Sequence, residues 1–260
     1  MKTARFIALV LLAGCFAGII HGTANLAIVE PYLDEAIGIE NQNLFSSGEK
    51  KDTPEFWVEY SSYRDWQKGG QVLAGAILGT SVGALFGIIF AFSRRSLPGN
   101  HNVKKALVLA GIMWLTIYFI PFLKYPANPP TVGDPETVVL RSILYLSFIA
   151  ISGFGALGFY KLSNILNKSK KIAVVLGYAV FISVIFVSMP QNPDEVTAPM
   201  DLVNGFRTMS VVAVSIYWIT LGIILGAFWQ KLQPDKSLQT YTSQLFSFYK
   251  LRIGSCHLNN

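Results

Sequence analysis

Charge is what this 260-residue chain has least of. Only 14% of its residues are Asp, Glu, Lys or Arg, against about 25% in soluble domains. The deficit leaves too little polar surface to wrap a water-soluble globule. Histidine is scarce too, three in all, and the two cysteines, Cys15 and Cys256, make neither a disulfide framework nor a zinc cluster. There is no Cys-x-x-Cys, His-Glu-x-x-His or Walker motif, so no zinc peptidase centre is expected and the chain hydrolyses no nucleotide itself. No serine lies beside a partnered base, and no enzymatic or cofactor-bearing site is expected. Disorder is excluded by what is present: 52% hydrophobic and 13% aromatic residues are the reverse of a disordered composition.

Long apolar runs are abundant. A run of about 18 or more apolar residues crosses a bilayer core as a helix, and six occur, over 6–29, 72–92, 106–123, 142–160, 172–189 and 208–229. None alternates as a membrane β-strand would. The expectation is an all-α polytopic membrane protein with one transmembrane domain over 1–230. The loop charges then set its orientation, because cytoplasmic loops collect Lys and Arg. One side holds fourteen of the 21 basic residues and a single acid, Asp235; the other holds seven basic residues and fourteen acids. Both termini, including a tail over 231–260, are therefore expected in the cytoplasm, with the spans forming three out-facing hairpins in the inner (cytoplasmic) membrane. The net charge of +6 thus answers to the lipid bilayer and not to nucleic acid. A second reading of the N-terminus stays open: Leu12-Ala13-Gly14-Cys15 matches a lipoprotein cleavage box, which would lipidate Cys15 and leave five spans.

The second and third hairpins resemble each other. Tyr125-Pro126-Ala127-Asn128-Pro129 leaves the third span and Met189-Pro190-Gln191-Asn192-Pro193 the fifth; each Pro-x-Asn-Pro precedes acidic residues and one arginine, Arg141 or Arg207. The first hairpin is looser, with Glu30-Pro31 at its exit, Arg64 before the second span and an aromatic-rich outer loop over 30–68, which is expected to lie at the interface. Gly75, Gly79, Gly83 and Gly87 recur every fourth residue, as do Gly14, Gly18 and Gly22. Such stripes let helices approach closely, and an internal seam and a homo-oligomer seam fit them equally.

Polar groups inside a membrane are costly and are functional candidates by default. His21, Asn25 and Glu30 lie along the outer part of the first span, and imidazole, amide oxygen and carboxylate suit a divalent cation; a histidine hydrogen-bonded to a neighbouring helix is the plainer reading. Glu35, Asp134, Glu136, Asp194, Glu195 and Asp201 form an outer acidic rim of the kind that concentrates cations at a pore mouth, although Asp134-Pro135-Glu136 also reads as a helix start. Arg141 and Arg207 oppose the macrodipole of the helices they open. With Arg64, they are expected to pair with outer carboxylates and brace the hairpins.

The run Ile120-Pro121-Phe122-Leu123-Lys124-Tyr125-Pro126-Ala127-Asn128-Pro129-Pro130, followed by Arg141, resembles the proline-rich exit of the CbtA family of cobalt-transporter membrane subunits. Val29-Glu30-Pro31, Glu35 and Arg64 resemble its first hairpin. The resemblance implies cobalt uptake serving cobalamin synthesis, often beside a one-span, histidine-bearing partner, CbtB. Family descriptions give five spans against the six counted here, and the chain has no histidine-rich tract of its own. The reading is therefore a metal ion transport protein that moves a divalent cation, Co²⁺ above others; a non-transporting scaffold or sensor subunit assembled through its glycine faces is the alternative.

Overall fold

The computed structural model describes residues 2–130, 132–166 and 171–233; Lys168, Lys170 and most of the expected tail lie outside the described residues. Those described are helical, with no strand among them. They form α1 (Lys2–Ile28), α2 (Glu30–Ser47), α3 (Pro54–Ser93), α4 (Asn102–Trp114), a π-helical turn (Leu115–Phe119), α5 (Ile120–Lys124), α6 (Val138–Ile165), α7 (Lys171–Ser188) and α8 (Met200–Leu232). Six helical stretches are long and apolar enough to cross a membrane: Ala4–Ile28, Pro54–Ser93, Asn102–Lys124, Pro135–Ser163, Lys171–Ser188 and Met200–Leu232.

The glycine stripes are where the bundle closes. A Cβ built on Gly18 would sit 2.1 Å from the Gly75 carbonyl oxygen, and one on Gly14 would sit 2.4 Å from that of Gly79. Gly79 and Gly83 reciprocate toward Gly18 and Gly14, while Gly87 receives the Val10 side chain. The seam is therefore internal, with α1 and α3 antiparallel and backbone against backbone. α8 packs antiparallel to both α1 and α4. Phe86, Phe90, Leu221 and Leu225 are fully buried among these four helices.

α6 and α7 form a second, antiparallel pair that meets the bundle chiefly at the π-helical turn. α7 packs mainly on α6, and α8 on α1 and α4, so the last two spans are neighbours in sequence more than in space. Pro121 explains the π turn. A proline lacks the N–H and its ring crowds the carbonyl four residues back, and one wider turn absorbs both. Thr116, within that turn, has its carbonyl capped by the Ser152 hydroxyl of α6, which in turn lies 2.8 Å from the Tyr178 hydroxyl of α7.

Successive spans alternate in direction, so every described basic residue of the N-terminus and of the segments around 94–105, 161–171 and 231 falls at one end of the bundle. The described acids fall at the other. These are the basic and acidic ends. At the acidic end the outer loop over 30–68 consists of α2 and the first part of α3, joined by a short turn. At 1.5 Å per residue α3 is about 60 Å long, twice the hydrocarbon thickness, so its first half projects beyond the apolar zone alongside α2. Gly48 turns the chain in the left-handed region at φ 78°, and Thr53 caps α3 by accepting from the Phe56 N–H at 3.3 Å, with Pro54 behind it. Phe45, Phe56, Trp57 and Tyr60 close the tip.

Candidate functional site

His21 and Asn25 lie one turn apart on α1, half-buried against α8. The His21 Nδ1 is 3.0 Å from the Ala213 carbonyl oxygen. A carbonyl only accepts, so Nδ1 carries the proton and Nε2 presents its lone pair. That lone pair faces the Asn25 amide nitrogen at 3.3 Å, a long and weak hydrogen bond. The ring meets Tyr217 edge-on with centroids 5.7 Å apart, and the Tyr217 hydroxyl donates to the Gly79 carbonyl at 3.1 Å. An imidazole with one nitrogen fixed by a backbone carbonyl is oriented as metal-binding histidines are. The same bond satisfies a purely structural histidine, and the geometry here serves both.

Glu30 stands apart from that pair. It is 4% exposed, and its carboxylate is engaged on both oxygens, by the Arg64 guanidinium and by the Gln71 amide. Arg64 also reaches Asp34 at 2.8 Å and Gln67 at 2.7 Å, and Lys68 bonds the other Asp34 oxygen at 2.9 Å. This clamp ties α2 to α3 just beyond the apolar zone. Burial alone would raise the Asp34 carboxyl, but the hydrogen bonds and charges of Lys68 and Arg64 outweigh it and hold the group below its ordinary value. Glu35 is exposed beside the clamp. The three suggested ligands thus divide into two groups, and no group of three or more His, Cys, Asp or Glu poised for a metal ion occurs among the described residues.

The two Pro-x-Asn-Pro loops are bolted to each other. Arg141, which follows the first loop, pairs through Nε with Asp194 of the second at 2.8 Å and also donates to the Thr137 hydroxyl and the Asp134 carbonyl. Thr137 donates to the other Asp194 oxygen at 2.7 Å. Arg207, which follows the second loop, donates to the Asn128 amide oxygen of the first at 2.7 Å. Among the described residues Arg207 makes no ion pair; an amide stands where a carboxylate was expected. Tyr125 adds a third bolt, its hydroxyl donating to the Pro190 carbonyl at 2.5 Å. Burial pushes that phenol up, which keeps it a donor. Gly133, at φ 108°, makes room: a Cβ there would sit 2.5 Å from Asp194 Oδ2 and 2.6 Å from Arg141 Nη1.

The rim acids have unequal surroundings. Asp194 is enclosed by its partners, whereas Asp134, Glu136, Glu195 and Asp201 are exposed. Asp134 also caps the turn that opens α6 by accepting from the Glu136 N–H at 2.8 Å. Between the loops lies a cavity of about 330 Å³, lined by Tyr118, Tyr145, Asn128, Asn192 and Arg141 among others. Its polar lining is hydroxyls, amides and the Arg141 guanidinium, with no carboxylate, set among apolar side chains such as Phe122 and Leu144.

Tyr118, Tyr145, Ser152 and Tyr178 did not stand out in the sequence. A lone tyrosine or serine in an apolar helix has no period or spacing to distinguish it. The π turn that gathers them follows from Pro121, which was legible only as part of a proline-rich exit.

Comparison with curated proteins and with solved structures returns no match. A family model does match, over residues 3–230, with the description "Probable cobalt transporter subunit (CbtA)". That span takes in five apolar helices and all but the last two residues of the sixth, with the clamp at Arg64 and both proline loops, and the chain belongs to the CbtA family.

Proposed function

We propose that this chain passes a divalent metal cation, Co²⁺ above others, into the cytoplasm as the membrane subunit of a cobalt-uptake system serving cobalamin synthesis. The observation that carries the reading is the family match over residues 3–230. The separation of charge between the two ends of the bundle gives the direction, since basic loops stay in the cytoplasm and the acidic end then faces outward in the inner membrane. Glu35, Asp134, Glu136, Glu195 and Asp201 gather the ion there, with Asp194 held in the loop lock. Arg64, Arg141 and Arg207 keep the entrance in shape.

Among the described residues the His21 Nε2, released by Asn25, is the one imidazole nitrogen inside the spans on the acidic side; Glu30 bounds its approach. Imidazole and amide alone bind weakly, which suits a site that must also let go. The membrane potential supplies about 2.3 kcal/mol per elementary charge for each 100 mV. Capture from dilute solution falls to a partner such as a one-span CbtB-like subunit, and the chain itself holds no resident cofactor. Radioactive cobalt accumulation in vesicles, with and without that partner, is the test. His21→Ala is expected to reduce uptake by about tenfold or more, since losing even an outer-shell partner of a metal ligand acts on that scale, with membrane insertion intact. Undiminished uptake in that variant overturns the route through His21; unchanged uptake on removing the whole chain overturns the transport reading itself.

A further inference from the structure

A second cavity, of about 340 Å³, lies far from the acidic end, between α3, α4 and α6. Its wall is almost wholly apolar, with Leu85 and Ile89 from α3, Met113 from α4, and Gly153, Leu157 and Tyr160 from α6. It runs from the middle of the apolar zone, level with the π turn, to the basic end. On α6 the lining extends from Ile149 to Tyr160, about 16 Å at 1.5 Å per residue. That is a slot half a bilayer deep, in the leaflet of the basic loops.

Its mouth is positively charged. Lys161 follows Tyr160 directly, Arg95 lies two residues beyond Ser93 of the lining, and Lys105 is one turn before Leu109 of the lining; Lys161 and Arg95 are exposed and Lys105 half-buried. No acid occurs among the described residues at this end. We infer that the slot holds one acyl chain of an anionic phospholipid, whose phosphate sits among Lys161, Arg95 and Lys105. A transmembrane helix of another subunit is the competing occupant, and the three cations at the mouth favour the lipid, whose phosphate matches their charge. Basic pockets between spans on the cytoplasmic side are the usual seat of anionic headgroups.

The full chain purified in mild detergent is the material for the test. Native mass spectrometry after exchange against mixed phosphatidylglycerol and phosphatidylcholine micelles is expected to show stoichiometric retention of phosphatidylglycerol. Each of Lys161→Ala, Arg95→Ala and Lys105→Ala should lower the preference for it by about fivefold. Ala156→Trp, which fills the slot, should abolish retention while leaving the headgroup cations in place; Leu157→Trp repeats that test should the first variant fail to fold. Equal retention of the two lipids, retention unaffected by both tryptophan variants, or a co-purifying polypeptide shielding Tyr160 in place of lipid overturns the assignment. Cobalt uptake enters none of these readouts, so this inference stands or falls apart from the transport reading.

Discussion

At the scale of single residues, the sharpest energetic commitment is the buried pair of Arg64 and Glu30, whose side chains are 6% and 5% exposed. Removing one member strands the other charge away from water, at a cost of about 3–5 kcal/mol. Arg64→Ala should therefore lower the thermal midpoint in detergent sharply. Replacing both partners by methionine should cost much less than the two single changes together, and a double-mutant cycle measures the difference. Asp34 adds a dependence on pH. Its folded carboxyl is held below the ordinary value of 3.8, so its contribution is complete above that value and fades as pH falls through the lower folded one. The midpoint difference between the native chain and Asp34→Asn should accordingly be constant at neutral pH and shrink in strong acid. Asp34 is 42% exposed, so solvent screening keeps the difference small.

At the scale of elements, the seam between α1 and α3 admits no side chain where Gly18 faces Gly75. The nearest atom is a backbone oxygen, which cannot swing aside. Gly18→Ala should separate the helices and cost about 1–3 kcal/mol, as overpacking generally does. Gly111 has open space around it, and Gly111→Ala should be neutral or slightly stabilising; unfolding of both variants in the same detergent checks the contrast. The stripes were readable because spacing by four is a helical signal that survives without structure. That they face each other, and not a second copy, was unreadable, since either arrangement buries the same glycines. The long segment over 30–68 shows the opposite failure. Its Gly48, Thr53 and Pro54 are ordinary stop and start signals for helices, yet its Trp and Tyr residues made it read as an outer loop lying along the interface.

At the scale of the whole molecule, the six spans and their alternation followed from hydropathy and loop charge alone, because lipid leaves a chain few alternatives. The arrangement of the spans did not follow. α7 keeps company with α6 through Ser152 and Tyr178, and neither residue belongs to a repeating pattern. Ser152→Ala should strip the cap from the Thr116 carbonyl and leave it unpaired, costing about 1–3 kcal/mol. Increased hydrogen exchange confined to α6 and α7 would show that the loss is local. The candidate site was half legible. His21 and Asn25 meet as their spacing of four requires, while Glu30, five residues further along, turns toward α3 because Arg64 and Gln71 claim it.

The proline loops carry a consequence for movement. Each arginine reaches across to its sister loop, Arg141 to Asp194 and Arg207 to Asn128, and Tyr125 does the same to Pro190. Freeing one of these contacts leaves the other two shut, so whatever loosens this end has to undo all three together, and the loops part in one step instead of widening gradually.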